Sequence, residues 1–252
     1  MTVFRSSLRR SVAVLGFVLI LGGTVPARAE VGEISDPFES YNRWMFSFND
    51  KLDRHVVEPV ARGYRAVVPK PVRTGAHNAL VNLKSPITIG NNLLQGDFSG
   101  AGKATVRMFV NTLLGVGGIF DIAGSEGIED EPEDFGQTLA VWGVGNGPYI
   151  VPPVLPPASL RDHVGTFADF YVDPVRLWLH NTDEDGWAYF RTGFNFLDTR
   201  TQLLDTLSDL RRSSVDYYAT IRSAYVQRRA ALVADAGTKG TDDTVIPNYN
   251  DE

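Results

Sequence analysis

Apolar residues recur every three or four positions over long stretches of the chain, which is the period of an amphipathic helix. Asp36 and Pro37 are typical of a helix N-cap and first residue, so a helix is predicted to begin there. The pattern allows two interpretations of its large apolar face: core packing, or partial exposure to lipid at a membrane interface. The candidate interface residues are Phe38, Tyr41, Trp44, Met45 and Phe48.

Prolines and glycines divide the remaining pattern into further helices. Pro69 and Pro71 predict a break, and the short helix after them is expected to end at Pro86. The fold class is therefore mainly α, with one helical domain over residues 30–234. Later helices are predicted over about 86–95, 98–114 and 206–234, and two or three more within 159–207. Three glycines end the helix 98–114.

The two ends of the chain differ from this pattern. Three arginines precede an apolar run that ends in an A-x-A pattern, so residues 1–29 are predicted to be a cleaved secretory signal peptide. The apolar run is shorter than the ~20 residues that a membrane-spanning helix needs. Residues 235–252 are polar and are predicted to be a disordered tail.

Charge and cysteine usage narrow the class of protein. Removing residues 1–29 takes away four arginines and no acid, which leaves 20 basic against 30 acidic residues, a net charge of about −10. This balance disfavours a nucleic-acid partner. The chain contains no cysteine, so we expect no disulfide and no lipid attached through an N-terminal cysteine. These features predict an exported bacterial envelope protein that is not a lipoprotein.

Enzyme motifs are missing from the sequence. There is no G-x-S-x-G motif, and the four histidines show neither H-x-x-x-H nor H-E-x-x-H spacing. The acidic segment 125–134 lacks the spacing of a calcium loop and is interpreted as a solvated loop. Asp162 and His163 could form an acid/base pair, but an ion pair of Arg161 with Asp162 at a helix end is favoured. We expect no catalytic residue, no metal and no cofactor.

The segment 142–157 has three glycines at alternate positions, followed by five prolines in ten residues. A phosphate cradle needs a helix directly after the glycines, and the prolines oppose one. We expect instead a hairpin-like loop with two extended arms, 138–144 and 148–154, joined by a mobile turn. The loop suits a wall or gate against an acyl chain, or it is a plain buried connection; both interpretations stay open.

Several long motifs, in order over about residues 36–230, resemble the MlaA (VacJ) family of outer-membrane lipid-asymmetry proteins. They are DPFESYNRWMFSFN, VEPVARGYRAVVPKPVR, NLLQGD, NTLLGVGGIFDIAG, FGQTLAVWGVGNGPYIVPP, LRD and TRTQLLD. The resemblance implies a ring-like bundle of amphipathic helices in the membrane interface, around an amphipathic channel. Phospholipid from the outer leaflet would pass through this channel to a periplasmic carrier of the MlaC type, and trimeric porins are implied as partners.

The resemblance also implies site residues in the channel or its gate. The glycine-rich loop corresponds to a channel-side hairpin of the family, and the NTLLGVGG segment to its glycine motif, which is followed by Asp121. The candidate residues are Trp142, Gly143, Gly145, Gly147, Pro148, Tyr149, Asn111, Gly115 and Gly118. The sequence departs from the family in lacking the N-terminal cysteine of its lipoprotein members.

Two other functions remain as alternatives. The first is a structural envelope protein that binds a porin and carries no lipid. The second is an envelope lipase that uses His163 and a nearby serine.

Overall fold

A computed structural model describes residues 34–238 of the 252-residue chain. The predicted signal peptide, residues 1–29, lies outside the described residues, and so does most of the predicted tail, 235–252. Residues 235–238 belong to the last helix. The domain boundaries remain predictions.

The described residues form mostly helices, so the mainly α class is confirmed. The small antiparallel sheet pairs Tyr149 with Ser159 and Ile150 with Ala158. In chain order the elements are α1 Glu39–Leu52, a π-helical turn Asp53–Val57, α2 Glu58–Val67, α3 Lys70–Gln95, α4 Phe98–Leu113, α5 Ile122–Ser125, α6 Phe135–Val141, β1 Tyr149–Ile150, β2 Ala158–Ser159, α7 Leu160–Val172, α8 Pro174–Asn181, α9 Asp185–Gln202, α10 Leu204–Ser213 and α11 Tyr217–Thr238.

The first helix begins two residues later than predicted, at Glu39 rather than Pro37, because Asp36 has other partners. Its carboxylate accepts a hydrogen bond from Asn42 Nδ2 at 2.7 Å and another from the Tyr218 hydroxyl of α11. No side chain caps the start of α1. Asp36 therefore joins the two ends of the described chain rather than capping its own helix.

Helix α3 runs through Pro86, so the predicted helix end there is wrong. A proline inside a helix costs about 3 kcal/mol. The helix continues because residues on both sides of the proline are buried, Leu80 before it and Ile87 and Asn91 after it. Tertiary packing against α4 and α6 outweighs the local cost. The predicted break before α3 is confirmed, since Val68 is extended and Pro69 precedes the first helical residue.

The predicted first arm of the hairpin is a helix, α6, and not an extended strand. Asp134 caps α6 by accepting a hydrogen bond from Gln137 N at 2.9 Å. Gly136 of α6 lies directly against Gly165 of α7, and the lack of side chains lets the two backbones meet. A cap and a close helix contact thus determine the conformation of a sequence that reads equally well as a strand.

The predicted last helix, 206–234, is two helices. Ser214 is extended, with a ψ of 133°, and separates α10 from α11. Asp216 then accepts a hydrogen bond from Ala219 N at 3.1 Å, and it forms an ion pair with Arg43 of α1 at 2.8 Å. The break turns α11 so that it packs against both α6 and the N-terminal segment.

Ion pairs connect α1 and α2 to α9 and α10 at the π-helical turn. Arg200 of α9 binds Asp53 through two hydrogen bonds, at 2.7 and 2.8 Å. Arg211 of α10 bridges Asp53 and Glu58, at 3.2 and 3.0 Å. Burial by itself raises the pKa of the Asp53 carboxyl, but Arg200 and Arg211 outweigh it and the pKa lies below its usual value.

The apolar core is small, and the largest aromatic side chains lie outside it. Its main cluster consists of Ile34, Met45, Tyr149, Val151 and Tyr218. All four tryptophans of the chain are exposed, by 49–64% of their surface. Tryptophan is highly buried on average in water-soluble proteins, so this distribution is inverted. None of the helices within residues 34–238 combines the length and the apolar character needed to cross a membrane.

The contact of α6 with α7 leads to a first prediction. A Cβ atom on Gly165 would lie 2.7 Å from Gly136 Cα, so Gly165→Ala should lower the free energy of unfolding by about 1–3 kcal/mol through overpacking. Gly193 in α9 has open space around its Cα, and Gly193→Ala should be neutral or stabilise by about 0.5–1 kcal/mol. Denaturant unfolding in detergent compares the two variants, and equal effects would contradict the packing argument.

Candidate functional site

The glycine-rich loop between α6 and β1 is fastened at both ends by hydrogen bonds. On the α6 side, Val144 N donates to Leu139 O at 2.8 Å, and the Trp142 indole donates to Leu94 O at 3.0 Å. On the far side, the first residues of α7 donate to the carbonyls of Asn146 and Pro148, at 3.1 and 2.9 Å. The loop is therefore anchored next to α3 and α7.

The three glycines of this loop have different environments. Gly143 and Gly147 adopt positive φ angles of 87° and 66°, which L side chains rarely adopt. A Cβ atom on Gly147 would also lie 3.2 Å from Leu160. Gly145 has open space around it. Gly143 and Gly147 thus make the two bends, and Gly145 is the unpacked position between them.

Two asparagines of α1 hold the arm that follows the loop. The Asn42 side chain donates to Tyr149 O at 2.9 Å and accepts from Val151 N at 3.0 Å. One heptad later, Asn49 donates to Pro152 O at 2.8 Å and accepts from Val154 N at 2.9 Å. The two amides bind backbone groups of this proline-rich arm in addition to its short pairing with β2. Sequence reasoning followed only the aromatic residues of α1 and missed both.

Tyr149 is the buried end of the loop. Its ring is fully buried and packs 6.2 Å from the Tyr218 ring and 5.6 Å from the Tyr225 ring, centroid to centroid. Burial raises the pKa of the Tyr149 hydroxyl above its ordinary value. Tyr149 is therefore an anchor of the loop in the core, whereas Trp142, Val144 and Leu155 remain exposed.

The candidates Asn111, Gly115 and Gly118 build the turn after α4. Buried Asn111 donates to Asp121 Oδ1 at 2.9 Å and accepts from Ala123 N at 2.9 Å. Gly118, at φ 90°, lies against α3, where a Cβ atom would approach Asn82 Cβ to 2.5 Å. The structure places these three residues together, but separately from the loop 142–149. Whether either group lines a channel stays a prediction.

Most of the candidate interface residues are exposed on α1. Phe38, Tyr41, Trp44 and Phe48 form an aromatic face that the rest of the described chain leaves uncovered. Met45 differs, since it is 8% exposed and belongs to the core cluster with Tyr149. One side of the helix thus packs in the core and the aromatic side faces outward, and contact of that side with lipid stays a prediction.

A buried polar network behind the loop was only partly expected. The predicted ion pair of Arg161 with Asp162 is present at 3.1 Å, but it is buried. Arg229 of α11 also binds Asp162 and Asp134, at 2.7 and 2.6 Å. Tyr225 accepts a hydrogen bond from Ser159 N at 2.8 Å and donates one to Asp162. The network joins α11 to the starts of α6 and α7. These contacts were not predicted, because the residues that form them are far apart in the sequence.

The acid/base alternative has no support in this geometry. His163 Nε2 contacts the carbonyl of Ile150 at 3.2 Å, while the Asp162 carboxylate binds Arg161, Arg229 and Tyr225. Within residues 34–238, no group of three histidine, aspartate or glutamate side chains is arranged to hold a metal ion. The site is composed of apolar surface, glycine turns and neutralised ion pairs.

Comparisons with known proteins agree with this picture. Residues 34–232 match the family described as "MlaA lipoprotein". The "Intermembrane phospholipid transport system lipoprotein MlaA" of Escherichia coli (strain K12) is 42% identical over 237 residues, 91% of this chain and 90% of that protein. The protein of the same name from Haemophilus influenzae is 34% identical and covers 82% of each chain. A solved structure described as "Structural basis for maintenance of bacterial outer membrane lipid asymmetry" is 39% identical, with a TM-score of 0.69, and covers 79% of this chain and 99% of that one.

The fold and the site define a helical protein whose aromatic side chains face outward and whose interior is rich in ion pairs. The chain belongs to the MlaA family.

One prediction is wrong. We expected an envelope protein that is not a lipoprotein, but the family is described as a lipoprotein family and the matched relatives are named lipoproteins. The error came from an absence: the 252 residues contain no cysteine, and a missing residue does not establish how a protein is held at a membrane.

The asparagines that hold the loop arm lead to a second prediction. Asn42→Leu leaves the Tyr149 carbonyl and the Val151 amide buried without partners, so the free energy of unfolding should fall by about 2–4 kcal/mol. Asn181→Leu, at an exposed position of α8, is the matched control and should stay within about 0.5 kcal/mol. Denaturant unfolding in detergent measures both. Equal stabilities of the two variants would show that the arm does not depend on Asn42.

A third prediction concerns His77 of α3, which contacts buried Asp198 of α9 at 2.8 Å. The hydrogen bond from Asp198 raises the pKa of His77 above its usual 6.5. The pair should therefore stabilise the fold fully below about pH 6.5 and lose this contribution as the pH rises through the folded-state pKa. Because His77 is partly exposed, we expect about 0.5–1 kcal/mol.

Denaturant unfolding of His77→Asn at pH 5.5 and at pH 9 tests the direction of this pH dependence. The variant should lose more stability at pH 5.5 than at pH 9. The difference should disappear in an Asp198→Asn background, and a larger loss at pH 9 would refute the assignment.

Proposed function

We propose that this protein moves phospholipid from the outer leaflet of the bacterial outer membrane through an amphipathic channel to a periplasmic lipid carrier. The observation that supports this most is the inverted distribution of side chains. Aromatic residues of α1, α8 and α9 are exposed, whereas charged and amide side chains occupy much of the interior. Such a surface is stable in contact with lipid, where apolar exposure carries no cost. The naming of the relatives as phospholipid transport lipoproteins is consistent with this proposal.

The energetics explain why such a protein is needed. Each methylene of an acyl chain costs about 0.8 kcal/mol when it moves from lipid to water. Spontaneous extraction of a two-chain phospholipid is therefore very slow. A helical ring in the membrane interface would keep the chains in apolar surroundings and offer the headgroup a polar path. The ring-like arrangement, with the helical domain at 30–234, is part of this proposal.

We assign the gate of this path to the loop at Gly143, Gly145 and Gly147. The exposed side chains of Trp142 and Val144 give the loop an apolar surface, and its flanks are anchored to α3 and α7. Motion would then concentrate at Gly145, the unpacked glycine. Pro148 and Tyr149 would support this wall from behind, and Asn111, Gly115 and Gly118 would shape the channel at the separate turn after α4.

The remaining partners follow from the direction of transfer. A conduit of this kind carries out no chemical step and needs no cofactor, so the energy for net flow comes from the proteins that receive the lipid. We propose a carrier of the MlaC type on the periplasmic side and a trimeric porin beside the aromatic helices.

A fourth prediction tests the gate. Gly145→Pro fixes φ and restricts Val144 to extended geometry, so it should reduce loop motion and lower lipid transfer. Gly145→Ala is the control, because a Cβ atom meets nothing within 4 Å there and should leave transfer unchanged. The measurements are surface phospholipid of cells that carry each variant, and lipid bound to the purified protein by mass spectrometry.

The expected result is accumulation of surface phospholipid with Gly145→Pro at an unchanged protein level. A wild-type protein without bound phospholipid, together with a Gly145→Pro variant that preserves asymmetry, would favour a porin-binding structural protein and reject the conduit.

A further inference from the structure

A polar cleft of about 80 Å³ lies between α3, α4 and the acidic segment that follows α5. It is separate from the loop 142–149. Roughly 30 Å³ is the share of one water in the liquid, so the cleft has room for one small polar group of a ligand. Its lining includes His77, Asn82, Arg107, Asn111, Asp121 and Asp130.

One charged pair in this cleft is already satisfied within the protein. Buried Arg107 donates to Asp121 at 3.1 Å and to the carbonyl of Ile128. Asp121 also accepts hydrogen bonds from Asn111 and Gly124, each at 2.9 Å. Burial by itself raises the pKa of Asp121, but these donors outweigh it and lower the pKa. Arg107 therefore has little capacity left to bind a phosphate or another anion.

Asn78 and Ser85 of the cleft donate to the carbonyls of Ile119 and Val81, and three other groups there can accept a hydrogen bond. Asn82 Nδ2 donates to Thr112 at 2.8 Å, while Asn82 Oδ1 is shielded from solvent and has no hydrogen-bond partner among residues 34–238. An unpaired buried acceptor costs about 1–3 kcal/mol, so this atom favours a ligand that donates.

Asp130 is the second acceptor, on the exposed side of the cleft. Its carboxylate lies 3.7 Å from Arg107 Nε, which is close enough for an ion pair but too far for a hydrogen bond, so its hydrogen-bond positions stay open. Partial desolvation raises the pKa of Asp130, whereas Arg107, Lys84 and His77 only offset this by longer-range attraction. A cation that donates hydrogen bonds would satisfy this carboxylate.

His77 adds a third acceptor when it is neutral. Its Nδ1 is 2.8 Å from Asp198 Oδ2 and 2.7 Å from Gln202 Nε2, and the carboxylate, which can only accept, favours the ring proton on Nδ1. The other ring nitrogen, Nε2, is then an acceptor on a ring that lines the cleft.

We infer that this cleft binds a primary ammonium group, as carried by an ethanolamine headgroup. An ammonium has three N–H donors and one positive charge, which match the open acceptors of Asn82, Asp130 and His77. A choline headgroup has the same charge but no N–H donor, and a glycerol headgroup has donors but no positive charge. The inference specifies which class of lipid headgroup the proposed conduit would recognise, and in that respect it rests on the proposed function.

The first experiment uses soluble headgroups and needs no lipid transfer. Phosphoethanolamine and phosphocholine are titrated by calorimetry into the purified full-length protein in detergent at about pH 8.5, since an alkaline pH increases the neutral fraction of His77. Phosphoethanolamine should bind more tightly than phosphocholine. Asp130→Asn should weaken it about fivefold, whereas Glu126→Gln, an exposed acid four residues earlier, should leave it unchanged.

A second variant protects the test against simple misfolding. Asn82→Asp keeps an acceptor at the unpaired position and adds a negative charge, while Thr112 can donate to the new carboxylate. It should bind phosphoethanolamine about fivefold more tightly than the wild type. A gain of affinity cannot come from an unfolded protein. Equal binding of the two headgroups, or no response to either Asp130→Asn or Asn82→Asp, would overturn the inference.

A second experiment uses intact lipids. It distinguishes failure of this inference from failure of the proposed function, and it distinguishes a lipid headgroup from a free amine as the ligand. The protein is incubated in micelles with equal amounts of phosphatidylethanolamine, phosphatidylcholine and phosphatidylglycerol of the same acyl chains, and bound lipid is measured by mass spectrometry. Enrichment of phosphatidylethanolamine that is lost in Asp130→Asn supports the site as a headgroup site. Lipid bound without preference would leave the conduit standing and reject the ammonium site. Phosphoethanolamine binding without any bound phospholipid would keep the site for free amines and reject the conduit.

Discussion

Pairing of buried and half-buried carboxylates with arginines is the interaction on which the rest of this structure depends. Because much of the large apolar surface faces outward, the helices are joined by charged contacts such as Arg200 with Asp53 and Arg229 with Asp134 and Asp162. Removing one partner of a fully buried pair, such as Arg161 with Asp162, costs about 3–5 kcal/mol, since the other charge stays behind unpaired, and the half-buried pairs contribute less. The fold can therefore expose aromatic helices and still hold a defined shape.

The same principle positions the loop proposed as the gate. A proline-rich arm cannot form a regular ladder, and side-chain amides of Asn42 and Asn49 satisfy its backbone instead. The anchored arm leaves Gly145 as the unpacked position. A gate requires anchored flanks and one residue that is free to move, because motion at Gly145 then does not disturb the packing of the helices behind it.

Local patterns predicted the helices well and their junctions poorly. The mainly α class, the break at Pro69 and the glycine turn after α4 followed from residue preferences. Pro86 and the segment 135–141 were misjudged, because burial against α4 and α6 in one case and the contact of Gly136 with Gly165 in the other outweighed those preferences. The buried partners of Asp162 come from residues 63–67 positions away, and no local pattern reports such pairs.

The sequence by itself determined the helical period, the turn glycines and the family, because these depend on the order of neighbouring residues and on long motifs. Only the tertiary structure decided which side of α1 faces outward, with Met45 in the core and Trp44 exposed. It also decided which acids bind an arginine through hydrogen bonds and which, like Asp130, lie beyond hydrogen-bond distance of it. The physical reason is that burial and charge pairing depend on distances in space, which the chain acquires only when its helices pack.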